Sequence, residues 1–170
     1  RYNLIWDKMF VSGFLNAKKM PMRSHEDILV FYKSLPTYNP QMTTGQPLHG
    51  KGTSYMCKDV TNNCYGDIKG AEDDRKGSTD KYQTSIVRFQ KPHPSCAVHP
   101  TQKSVELCEW LIKTYTNEGE TVLDNCMGSG TCGIACVNTN RSFIGIELDE
   151  KYFNIAKERI EKHLVQGRLF

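Results

Sequence analysis

Hydrophobic positions recur most regularly in the last third of the chain. Apolar residues spaced three or four apart predict an amphipathic helix over Ser104–Tyr115. A short apolar run predicts a buried strand at Thr121–Asp124, and a glycine-rich turn leads from it into a helix beginning over Thr131–Val137. Ser142–Leu148 predicts another strand, and Glu150–Leu164 predicts another amphipathic helix. The order strand, helix, strand, helix predicts a parallel sheet with right-handed crossovers.

The rest of the chain is less regular. Two apolar segments, Leu4–Asp7 and Ile28–Tyr32, each predict a strand. The middle, about residues 35–94, is rich in Gly, Pro, Asn, Thr and Ser and includes the polar stretch Gly66–Asp80. This composition predicts a loop-rich insertion with little core of its own. We therefore expect an α/β protein with an insert.

Composition narrows the class of protein. The chain has 170 residues, of which 38% are hydrophobic and 10% aromatic, so it can bury a core and is not wholly disordered. No apolar run approaches the roughly 20 residues that span a bilayer, and no membrane association is expected. The net charge of +3 is modest. Charge alone therefore favours a solvated surface over nucleic-acid binding.

The seven cysteines do not indicate a metal site. No two form a C-x-x-C pair, and no histidine stands at zinc-ligand spacing from two of them. Cys132 and Cys136 lie four apart in a predicted helix, a spacing typical of small apolar core residues. We predict no metal, and free thiols that fit a reducing cytoplasm.

A glycine motif carries the clearest chemical signal. The residues from Gly128 to Gly133 fit G-x-G-x-x-G between a predicted strand and helix, and Glu147 ends the next predicted strand. Glycines let backbone approach a ligand, and an acid at that strand end can accept hydrogen bonds from ribose hydroxyls. Asp124 before the turn disfavours a pyrophosphate and suits the cationic ammonium and sulfonium of S-adenosylmethionine. A nicotinamide-dependent oxidoreductase stays as an alternative.

The segment His99–Lys103 (HPTQK) directly precedes the first predicted helix of the last third. Pro100 fixes a turn, and Thr101 is the predicted N-cap of that helix. Taken alone, the segment is typical of a helix cap followed by a solvated lysine.

Three motifs together resemble the S-adenosylmethionine-dependent DNA amino-methyltransferases, which methylate adenine N6 or cytosine N4. They are HPTQK (99–103), VLDNCMGSGT (122–131) and FIGIELDEKYFNIAKERI (143–160). Their order is similar to the β class, in which the catalytic half comes first. WDK (6–8) and ILVFYK (28–33) are similar to the segment that follows the catalytic loop. The resemblance implies a Rossmann-like methyltransferase sheet with helices on both faces and a loop-rich recognition insert.

The resemblance also implies a division of the chain and a set of cofactor contacts. Residues 1–35 would be the second half of the catalytic subdomain, 36–95 the target-recognition region and 96–170 the S-adenosylmethionine-binding subdomain. Glu147 matches the ribose-binding acid, and Thr101 and Lys103 match the motif near the methionine carboxylate. The glycine-loop contacts around the methionine moiety are Asp124, Cys126, Gly128, Ser129, Gly130 and Thr131.

The sequence departs from the family pattern in three places. Ser104 stands where the family usually has Pro, and Asp124-Asn125-Cys126 stands where it has D-P-F. The catalytic signature, an Asp, Ser or Asn before Pro-Pro and an aromatic, is absent, since no two of the seven prolines adjoin. The catalytic residues therefore stay unassigned. We expect the loop upstream of Arg1, and we expect the chain alone to be inactive.

The expected function is methyl transfer from S-adenosylmethionine to a base amine in double-stranded DNA, with base flipping. Adenine N6 is preferred, because the N-terminal segment resembles adenine-type members. Cytosine N4, an RNA acceptor and a degenerate non-catalytic binding module stay open, as do a homodimer and a cognate restriction endonuclease. The predicted phosphate contacts, for which a solvated surface is the competing interpretation, are Lys8, Lys18, Lys19, Arg23, Lys51 and Arg88.

Overall fold

The computed structural model describes residues 1–47, 60–62, 66–68 and 78–167. The chain divides into two compact units, one of Arg1–Gln41 with Thr84–Phe170 and one of Met42–Gln83. The described strands are β1 (Tyr2–Ser12), β2 (Arg23–Val30), β3 (Thr43–Thr44), β4 (Val60–Asn62), β5 (Gly66–Ile68), β6 (Asp80–Lys81), β7 (Ile86–Arg88), β8 (Thr121–Asp124) and β9 (Ser142–Gly145). The described α-helices are α1 (Val105–Tyr115), α2 (Thr131–Asn138) and α3 (Glu150–Gly167).

The first unit contains a three-stranded sheet in the order β2-β1-β7. β1 runs antiparallel to β2 and parallel to β7, with Trp6 opposite Val87. Alternate residues of β1 face inward, as a pleated strand requires, and Leu4, Trp6 and Lys8 are buried. Trp6 and Val87 pack with Leu107 of α1, and the Trp6 indole donates a 2.7 Å hydrogen bond to the Phe89 carbonyl.

The two strands predicted near the N-terminus are confirmed with different limits. β1 extends beyond the predicted Leu4–Asp7 as far as Ser12, and its register with β2 shifts between Asp7 and Ser12. Met9 lies in this irregular stretch at a φ of 50°. β2 begins at Arg23 and ends at Val30, earlier at both ends than predicted. The two strands form a hairpin whose connection includes a single 3₁₀ turn at Phe14–Asn16.

One of the middle strands that the sequence did not predict, β7, belongs to the sheet of the first unit. β7 falls within the expected loop-rich insertion, yet it pairs with β1 because Val87 is fully buried in the core. The Ile5 amide also donates to the Ser85 carbonyl at 2.8 Å. On the other side of the insert, the Asn39 amide donates to the Thr114 carbonyl at 2.7 Å. The compact second unit is therefore narrower than the predicted 36–95 region.

The second unit is built of short antiparallel pairs. β3 pairs with β6, so that Thr43 lies opposite Lys81, and β4 pairs with β5. The Gly45 amide donates to the Thr79 carbonyl at 2.8 Å beside the first pair. The prediction of a loop-rich insertion agrees with these two- and three-residue strands.

The last third follows the predicted order of elements. β8 and β9 are parallel, and α2 connects them, as predicted. Ile112, Ala135 and Cys136 form the buried centre of this region. β9 ends at Gly145, so Glu147 lies two residues beyond the strand rather than at its end. None of the helices in the described residues is long and apolar enough to cross a membrane.

The predicted N-cap of α1 is wrong. The helix begins at Val105, and Ser104, with extended backbone angles, is the residue before it. The Thr101 side chain instead lies 3.1 Å from His99 Nδ1, within hydrogen-bond distance. That local contact uses the hydroxyl in the turn before the helix.

Candidate functional site

A cavity of about 210 Å³ lies between the turn after β8 and the segment before α1. A ligand site of drug-like size occupies roughly 300–1,000 Å³, so this cavity encloses part of such a ligand. Gly130 and Glu147 are the predicted cofactor contacts outside its wall. The predicted contacts that line it are Thr101, Lys103, Asp124, Cys126, Gly128, Ser129 and Thr131.

The motif glycines have two separate roles. Gly128 and Gly130 have φ values of 54° and 76°, in the left-handed region that favours glycine. Gly128 lines the cavity, and a Cβ there would make only ordinary contact with the His99 ring at 3.6 Å. A Cβ on Gly130 would lie 2.9 Å from Ala156 Cβ, and one on Gly133 would collide with Ile160. Gly130 and Gly133 thus let α3 approach α2 closely.

Glu147 ties the glycine turn to the end of β9. One carboxylate oxygen accepts a hydrogen bond from the Gly128 amide at 2.8 Å, and the other accepts one from the Asp149 amide at 3.0 Å. The backbone hydrogen bonds from Asp149 and Gly128 hold the pKa of Glu147 below its ordinary value. The carboxylate is therefore ionised at neutral pH, and its remaining lone pairs can accept hydrogen bonds from a ligand.

Asp124 is the acidic residue of the cavity wall. It ends β8, is half-buried, and accepts a hydrogen bond from the Cys126 amide at 3.1 Å. Burial, and then the charge of Asp124, raises the pKa of the nearby Cys108 thiol to about 12. The Cys132 thiol, also in the wall, has a raised pKa because of its hydrogen bond with Cys136 and its burial. Both thiols are neutral, which leaves Asp124 to attract a cation.

The opposite wall is the HPTQK segment. Gln102 accepts a hydrogen bond from the Val98 amide at 3.0 Å and another from the Ser129 hydroxyl at 3.5 Å. The His99 ring packs edge-on against Tyr152 of α3, with centroids 4.3 Å apart. The Lys103 ammonium lies 2.6 Å from a Glu26 carboxylate oxygen. Side chains rather than regular structure hold this wall.

Sequence reasoning missed several residues that shape the site. His99 and Gln102 stand inside the quoted HPTQK motif, so their motif was the available signal. Arg159 donates a hydrogen bond from α3 to the Ser129 carbonyl, and burial lowers its pKa. Arg159 and Tyr152 stand inside the quoted motif FIGIELDEKYFNIAKERI, so that motif was the available signal for them.

A second cavity of about 300 Å³ adjoins the same wall. His99 and Gln102 line both cavities. Phe10 contributes an aromatic surface, and it follows Met9, whose positive φ is held by a 3.0 Å hydrogen bond from its amide to Asp7. The remaining lining residues are Lys91, Pro92, Pro94, Ala97, Val98 and Pro100.

The predicted phosphate contacts fall into three groups. Lys18, Lys19 and Arg23 are exposed on the hairpin between β1 and β2. Arg88 is exposed and lies 3.3 Å from Asp7. The prediction for Lys8 is wrong, because its side chain is only 3% exposed and its ammonium faces Glu26 at 3.6 Å. Lys51 lies outside the described residues.

Comparison with known proteins decides the family. Residues 1–158 match the sequence profile of the N6/N4 methyltransferases, described as DNA methylase. The chain belongs to this DNA methylase family. The resemblance drawn from the HPTQK and glycine motifs is thereby confirmed.

Two curated relatives match parts of this chain. The Type II methyltransferase M.HpaI of Haemophilus parainfluenzae is 48% identical over 63 residues, which cover 37% of this chain and 20% of the relative. The Type II methyltransferase M2.DpnII of Streptococcus pneumoniae is 36% identical over 95 residues, which cover 56% of this chain and 35% of the relative. The chain spans well under half the length of these relatives.

A solved structure supports the fold of this chain. The crystal structure of an M1.HpyAVI–SAM complex aligns with a TM-score of 0.55 and 26% identity. The alignment covers 94% of this chain and 61% of that one. The Rossmann-like α/β class is confirmed, with β8, α2 and β9 supplying its parallel part.

Proposed function

We propose that this chain forms the S-adenosylmethionine-binding part of an enzyme that methylates an exocyclic amine in double-stranded DNA. The observation that carries the proposal is the cavity beside the glycine turn, which Asp124 and Gly128 line from one wall and Lys103 lines from the opposite wall. Lys103 belongs to the HPTQK motif, whereas Asp124 and Gly128 belong to the motif VLDNCMGSGT, and both motifs meet at this cavity. The bound cofactor would supply an electrophilic methyl group on its sulfonium.

The residues of the cavity fit that cofactor in charge and hydrogen bonding. Asp124 offers a negative charge to the sulfonium and ammonium, and Lys103 offers a positive charge to the carboxylate. Gly128 has no side chain, which leaves the backbone of the turn open to a ligand. Glu147 lies just outside the cavity and holds its acceptor oxygens toward the Gly128 amide, so we assign it the ribose hydroxyls.

A dinucleotide fits the same site less well. Its pyrophosphate would carry negative charge toward the glycine turn, where Asp124 and Glu147 already place two carboxylates. Like charges at close range raise the energy of a complex, most of all in a partly desolvated site. The proposed cofactor meets these carboxylates with positive charge and with hydroxyls instead.

The second cavity is our proposed place for the acceptor base. His99 and Gln102 line both cavities. A base in the second cavity would therefore lie beside the cofactor. Its lining is largely apolar, and Phe10 offers a ring on which a flipped base can stack. The family name includes methylation at both N6 and N4. We propose adenine N6 as the first choice of acceptor and cytosine N4 as the second.

The exposed hairpin is the proposed contact with the DNA backbone. Lys18, Lys19 and Arg23 are exposed there, and Arg88 is exposed on β7. Neutralising Lys18 and Lys19 should reduce the dependence of DNA affinity on salt by roughly one counterion per removed charge. The region 36–95, with the Met42–Gln83 unit inside it, is the proposed target-recognition region. We also propose that the protein acts in the cytoplasm, forms a homodimer and has a cognate restriction endonuclease.

Two assays test the proposal in sequence. Calorimetric titration of this chain with S-adenosylhomocysteine should show binding, and titration with NAD should show none. Binding of NAD alone would instead favour an oxidoreductase. The full-length gene product should then transfer labelled methyl groups to duplex DNA, and digestion to nucleosides should identify N6-methyladenosine or N4-methylcytidine. Cofactor binding without transfer to DNA or RNA would indicate a non-catalytic binding module.

A further inference from the structure

The Lys103 side chain is held from two sides by strands of the β2-β1-β7 sheet. Its ammonium lies 2.6 Å from a Glu26 carboxylate oxygen on β2 and 5.7 Å from the centre of the Trp6 indole on β1. Trp6 is fully buried, so this aromatic face is fixed. Residues 102–104 have no regular secondary structure, and Lys103 depends on these side chains for its orientation.

The second carboxylate oxygen of Glu26 faces another ammonium. Lys8, buried on β1, approaches it at 3.6 Å. Burial tends to raise the pKa of Glu26. The hydrogen bond from Lys103 and the charges of Lys103, Lys8 and Lys91 together outweigh this effect, so the pKa lies below its ordinary value. One ionised carboxylate therefore faces several ammonium groups. Positive charge is therefore in excess in the cluster around Glu26, and Lys103 is the member of that cluster that lines the first cavity.

An excess of positive charge at a cavity wall suits a ligand that carries its own carboxylate. We propose that Glu26 is a positioning residue that holds the Lys103 ammonium where the carboxylate of an amino-acid-bearing nucleoside is received. The inference rests on the proposed function, because Lys103 lines the cavity assigned to that cofactor. Without Glu26 the long lysine side chain would have to be ordered by the ligand itself, at the cost of affinity.

A purely structural role for Glu26 makes a different prediction. A structural residue would affect every ligand of the cavity alike, because its loss would disturb the wall as a whole. A positioning residue affects only ligands that have a carboxylate to place against Lys103. Two ligands separate the roles: S-adenosylhomocysteine carries the amino-acid portion, and 5′-methylthioadenosine has the nucleoside without it.

The decisive variant is the double substitution Lys8→Met with Glu26→Leu. It removes one charge of each sign, so the net charge is unchanged and no buried ammonium is left unpaired. We expect S-adenosylhomocysteine to bind about tenfold more weakly by calorimetry, as expected for a misplaced charge-assisted hydrogen bond. The affinity for 5′-methylthioadenosine should change less than twofold. Lys8→Met with Glu26→Gln, which keeps an acceptor oxygen for Lys103, should retain most of the affinity for S-adenosylhomocysteine.

Two controls complete the design. Lys162→Met with Glu158→Leu removes an exposed ion pair of α3, 2.7 Å long, and should leave both affinities unchanged. In a Lys103→Met background, the Lys8 and Glu26 substitutions should cause no further loss, since the positioned group is gone. Equal weakening of both ligands, or additive losses with Lys103→Met, would overturn the inference. Failure of the unmodified chain to bind either ligand would overturn the proposed function itself.

Discussion

The two walls of the first cavity are built in different ways. The glycine turn is held by its backbone: Gly128 and Gly130 have positive φ, and the Gly128 amide donates to Glu147. The HPTQK wall has no regular structure, and side-chain contacts of Gln102 and Lys103 hold it. The glycine turn tolerates little change of shape, because a Cβ on Gly130 would lie within 3.1 Å of both Cα and Cβ of Ala156 in a neighbouring helix. A wall of side chains is adjustable, because each contact contributes little and can be replaced.

The largest effect should follow from adding one methyl group to the glycine turn, at a position behind the cavity wall. Gly130→Ala places a Cβ 2.9 Å from Ala156 Cβ and 3.1 Å from its Cα, at a φ of 76°. Left-handed strain and overpacking together should lower the free energy of unfolding by about 3 kcal/mol or more. Urea denaturation of the purified chain measures this loss.

Gly119→Ala is the matched control for that substitution. Gly119 has a similar φ of 81°, but a Cβ there would meet nothing within 4 Å. The free energy of unfolding should fall only because of the left-handed backbone conformation, by about 1 kcal/mol. Equal losses for the two variants would show that close packing of α2 on α3 does not restrict the turn.

The second prediction probes the far side of the side-chain wall. Phe10→Ala removes the ring from the second cavity, whereas Phe14→Ala removes a ring from the same hairpin that is 81% exposed and does not line it. Stacking of a base on an aromatic ring contributes about 1–3 kcal/mol. In the full-length gene product, Phe10→Ala should therefore lower kcat/KM for DNA methylation at least fivefold and leave the affinity for S-adenosylhomocysteine unchanged. Similar rates for both phenylalanine variants would argue against a base in this cavity.

A smaller effect is expected inside the side-chain wall. Gln102→Leu removes the acceptor for the Val98 amide and the Ser129 hydroxyl. Loss of such hydrogen bonds should reduce the free energy of unfolding by about 1 kcal/mol. Ser129→Ala removes only the longer 3.5 Å contact and should cost less. Thermal unfolding of the two variants side by side tests the order, and the reverse order would show that the hydroxyl contact dominates.

The smallest effect concerns acid and salt. The pKa of Glu147 lies below its ordinary value of 4.5 because of the backbone hydrogen bonds from Asp149 and Gly128. A lowered pKa means that the carboxylate contributes stability that is full above pH 4.5 and is lost as pH falls through the lower folded pKa. Glu147→Gln should therefore flatten the fall of the thermal midpoint below pH 4.5.

Glu158 provides the comparison for this acid effect. Its pKa is lowered by the hydrogen bond and charge of Lys162, an exposed pair. Salt screens exposed ion pairs, so 1 M NaCl, with a Debye length of about 3 Å, should remove more of the Glu158 contribution than of the Glu147 contribution. The same salt response for both would indicate that the Glu147 contribution is mainly Coulombic.

The sequence predicted those elements whose formation depends on residues close together along the chain. Helical periodicity and the glycine motif placed β8, α1, α2 and α3 nearly where they lie. β7 was missed because three residues have no period, and its membership in the sheet depends on Val87 reaching a distant core. The burial of Lys8 had an overlooked signal, since it continues the inward alternation of Leu4 and Trp6 along β1.

The candidate site divides in the same way. Motif residues such as Asp124 and Gly128 were found because their spacing is local. The contact between Lys103 and Glu26 joins residues 77 positions apart. No periodicity encodes such a pairing, because it depends on how β2 and the segment before α1 come together in the folded chain.

The interruption of the first unit by residues 42–83 has a consequence for descent. Both flanks are fastened to the first unit, Asn39 through the Thr114 carbonyl and Ser85 through the Ile5 amide. Closing a longer loop between fixed ends costs only about 0.6 kcal/mol for each doubling of its length. The stretch between these two attachment points can therefore change in length, or be replaced by another segment, during evolution at little cost in stability. The cavity walls would be inherited unchanged while the inserted stretch diverges.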